Sequence, residues 1–114
     1  NMGLLLYKQG KYEEAMPYYV EAVETQRRVL GDEHPSTLNS ISNMGKLFMN
    51  QGKYDEAGVY LLQALEGLRR ILGDEHQYTL ETINSLVELY DAWYKPEEAQ
   101  KYRDMLPEEE ESTP

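Results

Sequence analysis

A chain of 114 residues with a formal net charge of −10 has no basic footprint for nucleic-acid phosphates or for anionic membrane surfaces. It contains no cysteine, which excludes disulfides and Cys-based zinc sites and fits a reducing, cytoplasmic setting. No apolar run approaches the roughly 18 to 20 residues that span a bilayer, while a hydrophobic share of 40% is enough for a real core.

The opening residues, NMGLLLYK, read as the end of a helix, because Asn1 recurs as Asn43, which lies inside a helical pattern. The start of that helix has no counterpart before Asn1, so the array is expected to continue N-terminally. Gly10, in QGKY, marks a turn. A second helical pattern follows through Tyr12, Ala15 and Ala22 to Leu30, and Pro17 is expected to bend it locally. Gly31 stands where a left-handed C-terminal residue belongs, and Pro35 suits the first turn of the next helix. In that next helix Leu38, Ile41, Met44, Leu47 and Phe48 recur at spacings of three and four, one apolar stripe. Gly52 breaks the pattern. Tyr54, Ala57, Leu61, Ala64, Leu65, Leu68, Ile71 and Leu72 then form a longer helix with a broad apolar face, closed by Gly73.

The third stretch is a diverged version of the same plan. Val87 stands for the mid-helix glycine, Tyr94 for the turn glycine and Arg103 for Leu61. Trp93 reads as closing the core at the last helical turn. Pro107 is expected to stop the last helix, and EEEESTP is too polar to pack.

The organisation is therefore a repeat. His34 and His76 lie 42 residues apart, as do Gly10 and Gly52, Ala15 and Ala57, and the two Arg-Arg pairs; residues 1–42 laid on 43–84 share 23 identities. The expected architecture is all-α, a right-handed α-α superhelix of about two and three-quarter helix-turn-helix repeats. The first, N-terminally truncated, repeat spans 1–31, the second 32–73 and a capping third 74–106, with an acidic disordered tail over 107–114. Gly3 and Gly45 lie mid-helix, where glycine costs ~1 kcal/mol against alanine, which implies close packing; Ala15, Ala57 and Ala99 mark the facing helices.

The stretch GDEH, at Gly31–His34 and again at Gly73–His76, suggests a metal or an acid/base cluster. Three consecutive side chains do not converge on one ion at ~2.0 to 2.3 Å. The favoured reading is an inter-repeat turn, with His34 or a neighbour near the free N–H groups of the next helix. Neighbouring acids such as Glu13-Glu14 and Glu97-Glu98 open helices, where they suit the helix dipole. No Gly-x-Ser-x-Gly or phosphate-binding loop is present. No catalytic residue, cofactor or metal is expected.

At Ile41, Met44, Gly45, Phe48, Gly52, Tyr54, Ala57, Leu61 and Ala64 the sequence resembles the tetratricopeptide repeat, which pairs two helices with Gly and Ala at the crossing. The period of 42, with GDEHPSTLNSISNMG and QGKYDEAGVYLLQALEGLRRILG, is similar to the longer kinesin light chain type. LVELYDAWYKPEEAQKYRDMLP also resembles the closing repeat of large bacterial proteins that join a serine/threonine kinase domain to such arrays. The resemblance implies a non-catalytic protein-binding module whose first helices line a concave side.

On those helices the exposed stripe is expected at Asn39, Ser42, Asn43, Lys46, Met49 and Asn50, then Glu81, Asn84, Ser85, Glu88 and Asp91, with Leu4, Tyr7 and Lys8 from the first copy. From these, Asn39, Asn43, Lys46, Asn50, Glu81, Asn84, Glu88 and Asp91 are the candidate partner-binding residues. Asn43 leads them, because a carboxamide can both donate to and accept from a peptide backbone. In chaperone-binding members the groove clamps a carboxylate; Glu81 and Ser85 stand where that clamp needs Lys and Arg. The acidic stripe favours a basic or neutral peptide or helical segment instead. The alternatives are a merely solvated face, or a structural spacer or self-association element that dimerises through apolar Met2, Leu5 and Leu6 at the N-terminal edge.

Overall fold

Six helices follow one another in the computed structural model, which describes residues 2–107: α1 (Met2–Lys8), α2 (Tyr12–Leu30), α3 (Pro35–Asn50), α4 (Tyr54–Leu72), α5 (Gln77–Ala92) and α6 (Pro96–Arg103). No strand occurs among the described residues, as expected for an all-α chain.

The turn inside each helix pair is built the same way three times. Gly10 and Gly52 take φ values of +78° and +80°. That conformation brings the Lys11 and Lys53 N–H groups back to the Leu6 and Phe48 carbonyls, each at 2.9 Å, the six-to-one closure of a helix C-terminus. Tyr94 keeps the geometry without the glycine. Its φ is +61°, and Lys95 N–H donates to the Tyr90 carbonyl at 2.8 Å. A left-handed tyrosine costs roughly 1–2 kcal/mol, and its side chain is 90% exposed, so burial does not offset that cost.

Between pairs the chain makes the GDEH turn. Gly31 and Gly73 have φ of +92° and +91° with ψ of 163° and 169°. They are positive in φ as expected but extended in ψ rather than left-handed helical, a region essentially open only to glycine. The imidazole then caps the next helix: His34 Nδ1 accepts from the Ser36 N–H at 3.1 Å, and His76 Nδ1 from the Tyr78 N–H at 3.0 Å. Asp32 and Asp74 pair back to Arg27 and Arg69 at 3.3 and 2.8 Å, and Glu33 pairs forward to Arg70 of α4. The turn reading of GDEH therefore holds.

Close approach sets the packing within pairs. A Cβ built on Gly45 would lie 2.8 Å from Leu61 Cγ and 3.2 Å from the Ala57 carbonyl oxygen. Ala15, Ala57 and Ala99 are wholly buried, in line with their expected place at crossings. One apolar cluster joins Val23 of α2 to Leu38, Ile41 and Met44 of α3 and to Ala64 and Leu68 of α4. A second joins Leu61 and Leu65 of α4 to Ile83, Leu86 and Leu89 of α5 and to Ala99 and Tyr102 of α6. A fully buried leucine of this kind contributes ~1.5–3 kcal/mol.

Two expectations need amendment, and a third concerns Pro17. Ile71, placed on the buried face of α4, is 38% exposed, while Leu72 beside it packs against the apolar cluster of α2, α3 and α4. Helix α2 spans Tyr12–Leu30 with Pro17 inside it; the ring removes one N–H, and Glu13, the residue left opposite, is exposed to water. Helix α6 ends at Arg103, before Pro107, in a turn where Met105 and Leu106 N–H donate to the Tyr102 and Arg103 carbonyls. Of the acidic tail expected over 107–114, residues 108–114 lie outside the described residues.

The glycines give a paired test. A Cβ at Gly58 would meet Leu89 Cδ2 at 3.6 Å and Tyr90 Oη at 3.9 Å, ordinary contact in a helix interior. Gly58→Ala is expected to raise stability by about 0.5–1 kcal/mol, and Gly45→Ala to lower it by about 1–3 kcal/mol. Urea melts measure both; a Gly45→Ala variant as stable as the parent would contradict the close crossing.

Candidate functional site

Side-chain contacts tie the first helices of the three pairs to one another. Asn50 of α3 donates from Nδ2 to the Tyr7 hydroxyl of α1, and Ser42 Oγ of α3 lies 3.1 Å from Thr82 Oγ1 of α5. Helices α1, α3 and α5 thus share one wall. Positions three, four and seven apart on each helix face the same way, which gathers the polar residues of that wall into rows.

The expected stripe is placed as follows. Asn39, Asn43 and Lys46 are half-buried, while Asn50, Glu81, Asn84, Glu88 and Asp91 are exposed. Asn50 also donates to the Lys46 carbonyl at 3.0 Å. Glu81 accepts from Gln77 Nε2 at 2.9 Å, and Asp91 Oδ2 is paired with Arg103 Nη2 at 2.9 Å. The Asn43 carboxamide makes no side-chain hydrogen bond to a described residue. It opens onto a cavity of about 170 Å³ that it shares with Leu4, Tyr18, Tyr19, Ala22 and Ser40.

Three residues expected on the open stripe are not there. Ser42 and Ser85 are each 4% exposed, and Met49 packs against the apolar cluster of α4, α5 and α6. Ser42 faces the seam with α5, and Ser85 Oγ donates back to the Glu81 carbonyl at 3.0 Å. Helical spacing defines a face, but the side on which the next pair stacks decides how much of it stays open.

The fold brings together what spacing alone did not. Tyr7 stacks on Tyr19 at 6.2 Å and meets Tyr12 edge-on at 5.4 Å. Burial lifts the Tyr7 phenol above its usual 10.0; the Asn50 hydrogen bond opposes this, and nearby Tyr12 and Glu88 add to it. Tyr18, Tyr19 and Ser40 were not among the expected site residues, because they belong to the flanks of two different helices. Trp93 stacks on Tyr90 at 5.9 Å with Lys95 Nζ 4.6 Å from its ring, half-buried against the core as expected.

With three helix pairs, glycine crossings and a common first-helix wall in place, comparison with known proteins is specific. Sequence models of the tetratricopeptide repeat match residues 1–36 and 39–102. The chain belongs to the tetratricopeptide repeat family. Repeats of this family generally mediate protein–protein interaction, on a scaffold-type, non-catalytic fold. This repeat array is 40% identical over 42 residues to a nucleotide-binding leucine-rich repeat (NLR)-like protein of Hyaloscypha variabilis, a match to 37% of this chain and 4% of that protein. Its fold is similar to the crystal structure of BtubC (BKLC) from P. vanneervenii, with a TM-score of 0.83 at 21% identity over 91% of this chain and 41% of that one. No helix of the array, among the described residues, is long and apolar enough to cross a membrane.

The tyrosines give a pH test. Burial is the leading cause that raises Tyr7, Tyr19 and Tyr90 above 10.0. A phenol held neutral in the folded state contributes stability that is full below its unfolded value and lost as pH rises through the folded one. Urea melts should therefore weaken above about pH 10, and Tyr7→Phe with Tyr90→Phe should flatten that loss. An unchanged alkaline slope in the double variant would contradict the assignment.

Proposed function

We propose that the wall of first helices binds an extended or helical segment of a partner protein, without turnover. The observation that carries this reading is the tie between first helices, Asn50 of α3 to Tyr7 of α1 and Ser42 of α3 to Thr82 of α5, which leaves Asn43 on the wall they form. Asn43, with its amide unspent on described neighbours, supplies a group that can both donate to and accept from a partner backbone. Asn39 and Lys46 flank it on α3, and Asn84 lies on α5. Exposed Glu81 and Glu88, in a chain of net charge −10, favour a basic or neutral segment. Asp91 contributes less, because Arg103 already neutralises it. The cysteine-free composition suits a cytoplasmic setting.

Arrayed basic and neutral peptides would identify ligands, and the affinity of the best would then be measured against variants. Asn43→Ala and Glu88→Lys are each expected to weaken binding by roughly tenfold or more, about 1.4 kcal/mol, with helicity unchanged. Parent-like affinity in both would remove the first-helix wall as the binding face.

A second reading, self-association, rests on a separate comparison. Met2 and Leu5 are 51% and 50% exposed, whereas Met44 and Leu47, at the same places one repeat later, are 6% and 0% exposed. A second copy that covers this edge would give a dimer opposed by the net charge of −10 and therefore favoured by salt. Sedimentation should show a dimer that Leu5→Glu abolishes; a monomer at every salt and protein concentration would end this reading.

A further inference from the structure

We propose that the partner segment is zwitterionic, with an acidic residue over α3 and a basic residue over α5, a refinement that rests on the first-helix wall as the binding face.

The chain carries 21 acids, yet α1 and α3 contain none. Their charged residues are Lys8, which is exposed, and Lys46, which is half-buried. Helix α5 is the reverse, with Glu81, Glu88 and Asp91 and no Lys or Arg. The wall therefore changes sign at the seam between α3 and α5. The change falls on a single repeat position, because Lys46 and Glu88 lie 42 residues apart. Neither forms an ion pair among the described residues, so they do not neutralise each other. Glu81 accepts from the Gln77 amide, which is neutral and leaves the carboxylate charge in place. Asp91 is the exception, since Arg103 pairs with it.

This arrangement selects a ligand by charge order. A wholly basic segment meets Lys46 as a like charge, and a wholly acidic one meets Glu88. A segment with one residue of each sign meets an opposite charge at both places. The seam also sets the spacing. Ser42 and Thr82, two short side chains, touch across it at 3.1 Å, so the two helix axes lie roughly 8–10 Å apart. A polyproline-II segment rises about 3.1 Å per residue with about three residues per turn, which puts every third side chain on one face about 9 Å from the last. An acid and a base with two residues between them thus span the step from Lys46 to Glu88. Asn43, one turn before Lys46 on α3, is placed to bond the backbone between them.

Three end-capped, labelled peptides test this by fluorescence anisotropy with the full chain at low salt: PPEPPKPP, PPKPPKPP and PPEPPEPP. The mixed peptide is expected to bind about fivefold tighter than either uniform one, and added salt should narrow the margin. Lys46→Glu should move the preference to the all-lysine peptide, and Glu88→Lys to the all-glutamate peptide. Both substitutions together should restore the preference for the mixed peptide, a rescue that misfolding would not produce. Equal affinity for the three peptides, or preferences that ignore the substitutions, would overturn the charge order; the wall itself would still stand if Asn43→Ala weakened all three alike. Failure of all three to bind would also overturn the charge order, and the wall would then be judged by the arrayed peptides and the Asn43→Ala variant.

Discussion

Where α3 crosses α4, Gly45 has no side chain because none fits: a single added carbon would lie 2.8 Å from Leu61 Cγ. The close crossing lets Leu61 and Leu68 lose all contact with water, together with Ile41 and Leu47 on the other helix. It also fixes the rotation of α3 about its axis. Once the apolar side is held against α4, the side that carries Asn39, Asn43 and Lys46 has one remaining direction. The polar wall is thus a consequence of the core, since its residues make few contacts that would orient α3 by themselves.

The third pair shows how these devices depend on one another. Val87 replaces the crossing glycine, and Arg103 replaces the leucine that packed against it. A guanidinium would be expensive to bury without a partner; Arg103 instead stays half-exposed and reaches Asp91 at 2.9 Å. Helix α6 stops at that residue, which leaves the flank of α4 open. The turn before α6 survives the loss of its glycine, because the closing hydrogen bond at 2.8 Å requires a positive φ and Tyr94 adopts one at a cost.

Charge is distributed unevenly over this framework. Arg27, Arg69 and Arg70 pair with acids of the inter-repeat turns, and Arg103 with Asp91. These pairs are largely exposed, so each contributes at most about 1 kcal/mol. Their larger effect is to hold the turns and to neutralise cations there. Most of the remaining exposed acids lie on the second helices, as Glu13 and Glu14, Asp55 and Glu56, and Glu97 and Glu98 do, while the acids of the first-helix wall, Glu81 and Glu88, lie on α5.

The sequence by itself determined the repeat, because an offset of 42 carries helix stripes, turn glycines and capping histidines together. It also determined GDEH as a turn, since local bonding from His34 Nδ1 to the Ser36 N–H needs only neighbouring residues. The crossing glycines were legible for the same reason: a costly residue placed twice at one offset needs a packing cause. Only the tertiary structure decided which flank of each helix remains open. Ser42, Ser85 and Met49 share the spacing of Asn43 and Lys46, yet they are covered by contacts with residues distant in sequence or, for Ser85, turned back onto its own helix. Helical periodicity gives the angle between side chains about one axis, but the direction from which the neighbouring helix arrives is set by the sum of all the apolar contacts in the core.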